Sequence, residues 1–165
     1  MAHASAYSLT KSALVTRLDA RPGVQGVAVS YQAPVSAPDV EGRGALEAIF
    51  CDDAEGDFDN RVLCAGDLRF DETLTIQLVI QVARPTSLGT QQAADRRVEE
   101  LLYEVHDELA GQNDWDLAEL GLDVFDYFQV TPGAHRFVTG FLPSGAGHAA
   151  RCELGLLVEA RRSFP

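Results

Sequence analysis

The sequence predicts a single α+β domain, in which a mainly antiparallel β-sheet carries two helices packed on one face. Two long segments, residues 72–84 and 151–161, alternate apolar and polar residues, which is typical of antiparallel strands with one buried face. A third segment, residues 90–110, repeats apolar residues at helical spacing and can cover such a sheet. The length of 165 residues fits one domain over residues 1–165, with a flexible N-terminal segment at residues 1–7.

The first half of the chain predicts one helix and several strands. Apolar residues recur at helical spacing from Leu9 to Leu18 and predict a helix over residues 8–20. Alternation predicts a strand over residues 24–32, and a short strand follows at residues 46–50 after a loop rich in proline and glycine. Residues 51–60 indicate an acidic loop, followed by brief pairing at residues 61–65 and a turn at Gly66-Asp67.

The second half predicts the long helix and the remaining strands. The helix over residues 90–110 is expected to end at Gly111, and one helical turn is expected within residues 113–121. Residues 122–130 and 137–142 are predicted to form two strands joined by a turn at Pro132-Gly133. A glycine-containing turn at residues 143–147 leads into the last strand.

The composition excludes several classes of protein. The chain carries 13 Lys and Arg against 25 Asp and Glu, a formal net charge of −12, which disfavours nonspecific binding to nucleic acid. Its apolar runs are far shorter than the roughly 20 residues that span a bilayer, so we expect no membrane segment and no signal peptide. The odd number of cysteines, 3, favours reduced thiols in a cytosolic setting.

The acidic segment is the strongest candidate for a metal site. Five carboxylates fall between positions 52 and 59, and hard cations such as Ca²⁺ prefer several oxygen ligands from one flexible loop. The spacing does not match an EF-hand, because, counted from Asp53, glycine occupies position four and Cys64 occupies position twelve. We therefore expect a solvated loop and no metal ligand.

No other pattern indicates catalysis or a cofactor. The cysteines and histidines lack zinc spacing, and Cys152 falls on the apolar side of the last strand, which predicts a core residue. Ser144 lies in a glycine-rich turn, but that turn lacks the first glycine of a nucleophile elbow and precedes a strand. For the same reason Gly145 and Gly147 do not form a dinucleotide fingerprint. We expect no catalytic residue and no cofactor.

The order of these segments resembles that of the tail terminator, or tail-completion, proteins of long-tailed bacteriophages. The resemblance is one of layout and extends from Leu9 to Arg162. It rests on an opening amphipathic helix, a short strand followed by proline, a strand and loop, a long alternating strand, a second helix and a long final strand with basic residues at its end. These segments are Leu9–Leu18, Val27–Tyr31 with Pro34, Leu46–Phe50, Thr73–Val82, Ala94–Leu109 and Leu154–Arg162.

The resemblance implies a structural protein of the virion and not an enzyme. Such a protein forms a homohexameric ring that caps the tail tube at its head-proximal end, stops tube polymerisation and joins the tail to the head–tail connector. The implied partners are a second copy of the chain, the major tail tube protein and the connector, and DNA passes through the lumen without specific binding. The implied location is the neck region of the virion, after assembly in the host cytoplasm.

Two alternatives stay open beside this reading. One is another head–tail connector or tail-tube-related virion protein, and the other is a small cytosolic ligand-binding or enzymatic α+β domain. For ring contacts we expect edge strands such as Val27–Tyr31 and the loops at residues 33–44, 51–60 and 142–148. The expected contact residues are Asp53, Glu55, Asp57, Asp59, Arg61 and Arg136.

Overall fold

The computed structural model describes residues 5–33, 46–62, 68–141 and 146–164. Helix α1 spans Ala6–Asp19 and helix α2 spans Gln91–Ala110. Five strands form the sheet, and short 3₁₀ turns occur at Pro22–Val24, Thr86–Leu88 and Gln112–Asp114. The strands are β1 at Ala28–Ser30, β2 at Leu46–Val62, β3 at Leu68–Pro85, β4 at Tyr127–Phe141 and β5 at Gly147–Phe164.

The strands form one sheet in the order β1-β2-β3-β5-β4. Strand β1 pairs with β2 in parallel, and the other three pairings are antiparallel. The prediction of a single α+β domain with a mainly antiparallel sheet and two helices is therefore confirmed. Within the part of the chain that the structure describes, neither helix is long and apolar enough to cross a membrane.

A side chain caps the N-terminus of each helix, and the cap of α1 is Ser5 and not Ser8 or Thr10, which the sequence predicts. The Ser5 side chain accepts a hydrogen bond from the backbone N–H of Tyr7, so α1 begins two residues earlier than predicted. The Thr90 side chain accepts from the N–H of Ala93, and the chain leaves α2 at Gly111, as predicted.

The core lies between the two helices and one face of the sheet. The predicted alternation of β3 and β5 is confirmed, because Ile76, Ile80, Leu154 and Leu156 are buried against the helices. Helix α2 contributes the predicted apolar stripe, which consists of Ala94, Val98, Leu101, Leu102, Val105 and Leu109. Cys152 is buried in this core, which confirms the prediction for that residue.

The prediction of an acidic loop at residues 51–60 is wrong. This segment belongs to strand β2, which continues from Leu46 to Val62 and pairs with β3 along its length. The register shifts between Cys51 and Ala54, so a β-bulge holds Asp52 and Asp53. Long-range pairing with β3 therefore overrides the low strand propensity of aspartate and glycine.

The prediction of a turn at Pro132-Gly133 is also wrong. Strand β4 runs without interruption from Tyr127 to Phe141, and its register against β5 shifts between Pro132 and His135. A β-bulge on an edge strand accommodates a proline because the missing N–H is not needed in the ladder. The first strand is likewise shorter than predicted, since Pro22–Val24 form a 3₁₀ turn and only Ala28–Ser30 pair with β2.

Several predicted features lie wholly or partly outside the described residues. They are residues 1–4 of the N-terminal segment, the loop at residues 34–45, the turn at Gly66-Asp67 together with Cys64, and residues 142–145 with Ser144.

Candidate assembly surface

The sheet has one face under the helices and one face without them, which we call the polar face. Its strand residues alternate with the core residues, so Thr73, Thr75 and Gln77 of β3 project away from the helices. At one end Ala48, Phe50 and Val79 form a small separate apolar cluster. The rest of this face is dominated by polar and charged side chains.

Carboxylates outnumber guanidinium groups on the polar face. The seven acidic strand residues with described side chains are Asp52, Asp53, Glu55, Asp57, Asp71, Glu153 and Glu159. The four basic ones are Arg69, Arg136, Arg151 and Arg161. The surface is therefore net acidic, like the whole chain.

Ion pairs cross the strands on this face. Asp71 of β3 accepts hydrogen bonds from Arg69 at 3.1 Å and from Arg161 of β5 at 2.9 Å. These hydrogen bonds, led by the one from Arg69, lower the pKa of the Asp71 carboxyl. The Arg161 guanidinium also lies 5.7 Å from the ring centre of Tyr127, so one arginine connects β3, β5 and β4.

A shallow cavity of about 400 Å³ opens on the polar face beside the bulge of β2. Arg151 stands at its wall, 3.0 Å from Glu153 and 3.9 Å from Asp52. Asp53, Glu55, Thr75 and Gln77 complete much of the lining. The cavity is open, half of its lining residues are acidic, and the arginine that lines it is paired.

The structure separates the carboxylates that suggested a calcium loop. Glu55 and Asp57 lie opposite Thr75 and Thr73 on the polar face, whereas Ala54 and Gly56, the residues that precede each of them, face the helices. Alternate residues of an extended strand stand roughly 6.6 Å apart, so the chain does not wrap around one point. Among the described residues no group of three or more Asp, Glu, His or Cys is placed to hold a metal ion.

The six predicted contact residues lie on two strands. Asp53, Glu55 and Asp57 are exposed on β2, and Arg136 is exposed on β4 opposite Glu153. The backbones of Asp59 and Arg61 pair with Asp71 and Arg69, and their side chains lie outside the described residues. The sheet thus places the acidic group near one side edge and Arg136 on the opposite edge strand.

A second set of charges, centred on buried Glu108, links the C-terminal end of α1 to α2, and the sequence did not predict it. The Glu108 carboxylate accepts hydrogen bonds from Arg17 at 2.7 Å, from Arg21 at 3.0 Å and from the Trp115 indole at 2.9 Å. Burial raises the pKa of Glu108, but these hydrogen bonds outweigh burial and lower it. The sequence signal for this cluster is residue spacing. Arg17 and Arg21 are four residues apart, and so are Glu104 and Glu108, both of which pair with Arg21.

Three further charged groups link the helices to other parts of the fold, two of them to strands of the sheet. Glu47 of β2 pairs with Arg84 at 3.1 Å and with Arg97 of α2 at 2.9 Å. Buried Glu72 accepts a hydrogen bond of 2.9 Å from the Ala6 N–H at the start of α1. Lys11, the one lysine of the sequence, is buried with its Nζ 4.4 Å from the ring centre of Tyr31.

The two thiols in the described residues are free and buried. Burial raises the pKa of Cys51 to about 11 and that of Cys152 to about 11. At neutral pH both are protonated and shielded from solvent, so neither has the properties of a nucleophile.

Both side edges of the sheet contain unpaired stretches. On the side of β2, the described strand β1 reaches only Ala48–Phe50, so no described strand pairs with that edge over residues 52–57. On the other side β5 is the one described strand that pairs with β4, and the Gln112 amide covers one point of the opposite edge of β4 by exchanging hydrogen bonds with Val130. Beyond that point Phe137 and Phe141 are 46% and 78% exposed.

Comparisons with known proteins do not assign the chain to a class. No protein-family model matches the sequence, and no curated protein matches it.

Proposed function

We propose that this protein is a structural ring subunit that caps the tail tube of a long-tailed bacteriophage at its head-proximal end. In this role it stops tube polymerisation and joins the tail to the head–tail connector, and it catalyses no reaction. The ring is homohexameric, lies in the neck of the virion and has DNA passing through its lumen. The proposal unites the layout of the sequence with the surface properties of the sheet.

The observation that carries the proposal is the wide polar face of the sheet. Two helices cover one face, and the other is a polar, net-acidic surface braced by the Asp71 and Arg151 ion pairs. Such a surface suits the lumen of a ring, because carboxylates repel the phosphates of passing DNA and do not retain it. The helices then form the outer wall.

Another head–tail connector or a tube-related protein would use the same surface, so the two readings differ only in partner. A ligand-binding domain has weaker support. The cavity beside Arg151 is open and rich in carboxylates, whereas small-molecule sites are mostly enclosed and apolar.

The decisive measurements are the oligomeric state of the protein and its effect on the length of tail tubes. We expect light scattering on the purified protein to give a closed oligomer and negative-stain images to show rings. Adding the protein to polymerising tail-tube subunits of the same phage should shorten the tubes in proportion to the amount added. An equal amount of an unrelated acidic protein is the control.

Three outcomes separate the readings. Rings that shorten tubes support the proposal. Rings that bind only the head connector, and leave tube length unchanged, favour the connector reading. A protein that remains monomeric, even when mixed with the tube subunit, contradicts the ring altogether.

A further inference from the structure

We infer that copies of this chain join head to tail through their sheet edges, with residues 135–141 of β4 in one copy adding to residues 52–57 of β2 in the next. This inference rests on the proposed ring and names its interface. The occupant of each free edge is a second copy, and the polar faces of successive copies form one continuous surface.

The strand directions permit this pairing. Strand β2 is antiparallel to β3, β3 is antiparallel to β5, and β5 is antiparallel to β4, so β2 and β4 run in opposite directions. Rotation about a ring axis keeps strand direction, so β2 of one copy meets an antiparallel β4 of its neighbour. A contact between two different patches is the heterologous kind that closes into rings.

The required stagger also fits a closed sheet. Across one copy, Val138 is level with Arg151, Gln81 and Ala48, whereas Ala54 is level with Ile76. Joining β4 of one copy to residues 52–57 of the next therefore displaces the second copy along the strand direction by about five to six residues, roughly 18 Å. Four strand spacings separate equivalent edges, roughly 19 Å, which gives a strand tilt of about 45° and lies within the range of closed barrels.

The charges of the two edges are complementary. Residues 52–57 of β2 carry Asp52, Asp53, Glu55 and Asp57. Strand β4 contains no carboxylate from Tyr127 to Phe141 and carries Arg136. Arg136 lies on the polar face, and so do Glu55 and Asp57, so a continuous sheet brings opposite charges together on one side.

The other side of the joint is apolar. Phe137 lies opposite Cys152 and therefore projects to the helix side of the sheet, although it is 46% exposed. On that side of β2 the small residues Ala54 and Gly56 lie opposite Ile76 and Leu74. Gly56 has no side chain, and the Leu74 side chain occupies the space that a Cβ would take. The phenyl ring of a neighbour can therefore cover this part of β2 without a clash from a large side chain.

Among the residues that the structure describes, the free edge of β4 is covered at Val130 and has no strand beside it over residues 135–141. Because Val130 exchanges hydrogen bonds with Gln112, its backbone groups point away from β5. Val130 lies opposite Val158, and the alternation of β5 gives Phe137 and Thr139, opposite Cys152 and Ala150, the same outward orientation. Edge strands that must avoid other chains are normally protected along their length, so residues 135–141 are suited to pairing.

A proline at Thr139 tests the backbone contact. Thr139→Pro removes an N–H that points outward, so the fold should remain and self-association should weaken by at least about tenfold. Thr139→Ala keeps the N–H and is the matched control, which should assemble like the wild type. Light scattering over a concentration series measures the effect, and thermal melting verifies folding.

A charge exchange tests the direction of the joint. Arg136→Glu should weaken assembly at low salt, and adding Glu55→Arg in the same chain should restore it, because the two positions meet between copies. Arg96→Glu makes the same change of charge on the exposed side of α2 and should have no effect.

If Thr139→Pro and Arg136→Glu both form the same rings as the wild type, the edge inference is wrong and the tube-capping proposal is unaffected. If the wild type forms rings and the variants do not, the edge inference is supported. If the wild-type ring also leaves tube length unchanged, tube capping is contradicted. If Thr139→Pro unfolds, the charge exchange alone decides.

Discussion

The helix layer and the polar face of the sheet use charge in opposite ways. Between the helices, Glu108 of α2 is 5% exposed and accepts three hydrogen bonds from Arg17, Arg21 and Trp115. On the polar face Asp71 holds Arg69 and Arg161 within reach of solvent. The covered charges fix the position of the helices, because removing one partner leaves a buried charge uncompensated. The polar-face charges are reached by solvent and contribute little to folding.

The largest expected contrast lies between two adjacent leucines of β5. Leu156 is completely buried, whereas Leu157 is 37% exposed on the polar face. Leu156→Ala should lower the free energy of unfolding by about 3 kcal/mol, since it leaves a cavity in the core. Leu157→Ala should cost less than about 1 kcal/mol. Urea unfolding measures both, and equal losses would contradict the assignment of faces.

The second contrast compares carboxylates. Glu108→Gln should lower the free energy of unfolding by about 2 kcal/mol, because Arg17 and Arg21 each lose one carboxylate partner. Glu159→Gln removes an exposed carboxylate from the polar face and should change stability by less than about 0.5 kcal/mol. A similar cost for both would show that burial of Glu108 does not matter.

The effect of Glu108 should depend on pH. Its pKa is lowered below the ordinary value of 4.5 in the folded protein, so the unfolded chain takes up a proton first on acidification. The stability from ionised Glu108 is present above pH 4.5 and is lost as the pH falls through the folded pKa. The difference in unfolding free energy between wild type and Glu108→Gln should therefore shrink below pH 4.5. A constant difference down to pH 2 would contradict this assignment.

A smaller effect on stability, with a large effect on assembly, is expected at the acidic edge of β2. Replacing Asp53 and Asp57 with Asn and Glu55 with Gln should change the unfolding free energy by less than about 0.5 kcal/mol per site, since all three are exposed. Infected cells that carry this variant should accumulate overlong tubes or unjoined heads and tails. The matched control removes three carboxylates from exposed sites elsewhere, Glu99, Asp107 and Glu119. Normal tail length and full infectivity in the first variant would remove this edge from the mechanism.

The smallest expected effect is that of calcium. Residues 52–57 are held in a strand, where neighbouring carboxylates do not converge on one cation. Millimolar Ca²⁺ should leave the melting temperature within about 1 °C of that with Mg²⁺, whereas a bound ligand at a hundredfold excess over its Kd adds about 2.7 kcal/mol. A rise of many degrees in the melting temperature with Ca²⁺, but not with Mg²⁺, would indicate a calcium site in this segment.

Local sequence patterns were sufficient to predict a helix or strand wherever its signals lie within the element itself. The stripe of α2, its end at Gly111 and the alternation of β3 and β5 are visible in the sequence because each depends on residues close together in the chain. The sequence also contained the spacing of Arg17, Arg21, Glu104 and Glu108, but spacing alone does not show that these residues of two helices meet.

Distant contacts decided the remainder. Aspartates and glycines in residues 51–60 favour a loop locally, and only pairing with β3 makes them a strand. Pro132-Gly133 favours a turn, and only the long partner β5 turns it into a bulge within β4. The sequence by itself thus determined the class of fold, its helices and its two central strands, because side-chain periodicity is a local property. The tertiary structure decided which carboxylates are buried, which lie on the polar face and where the sheet edges are open, because these depend on neighbours far away in the chain.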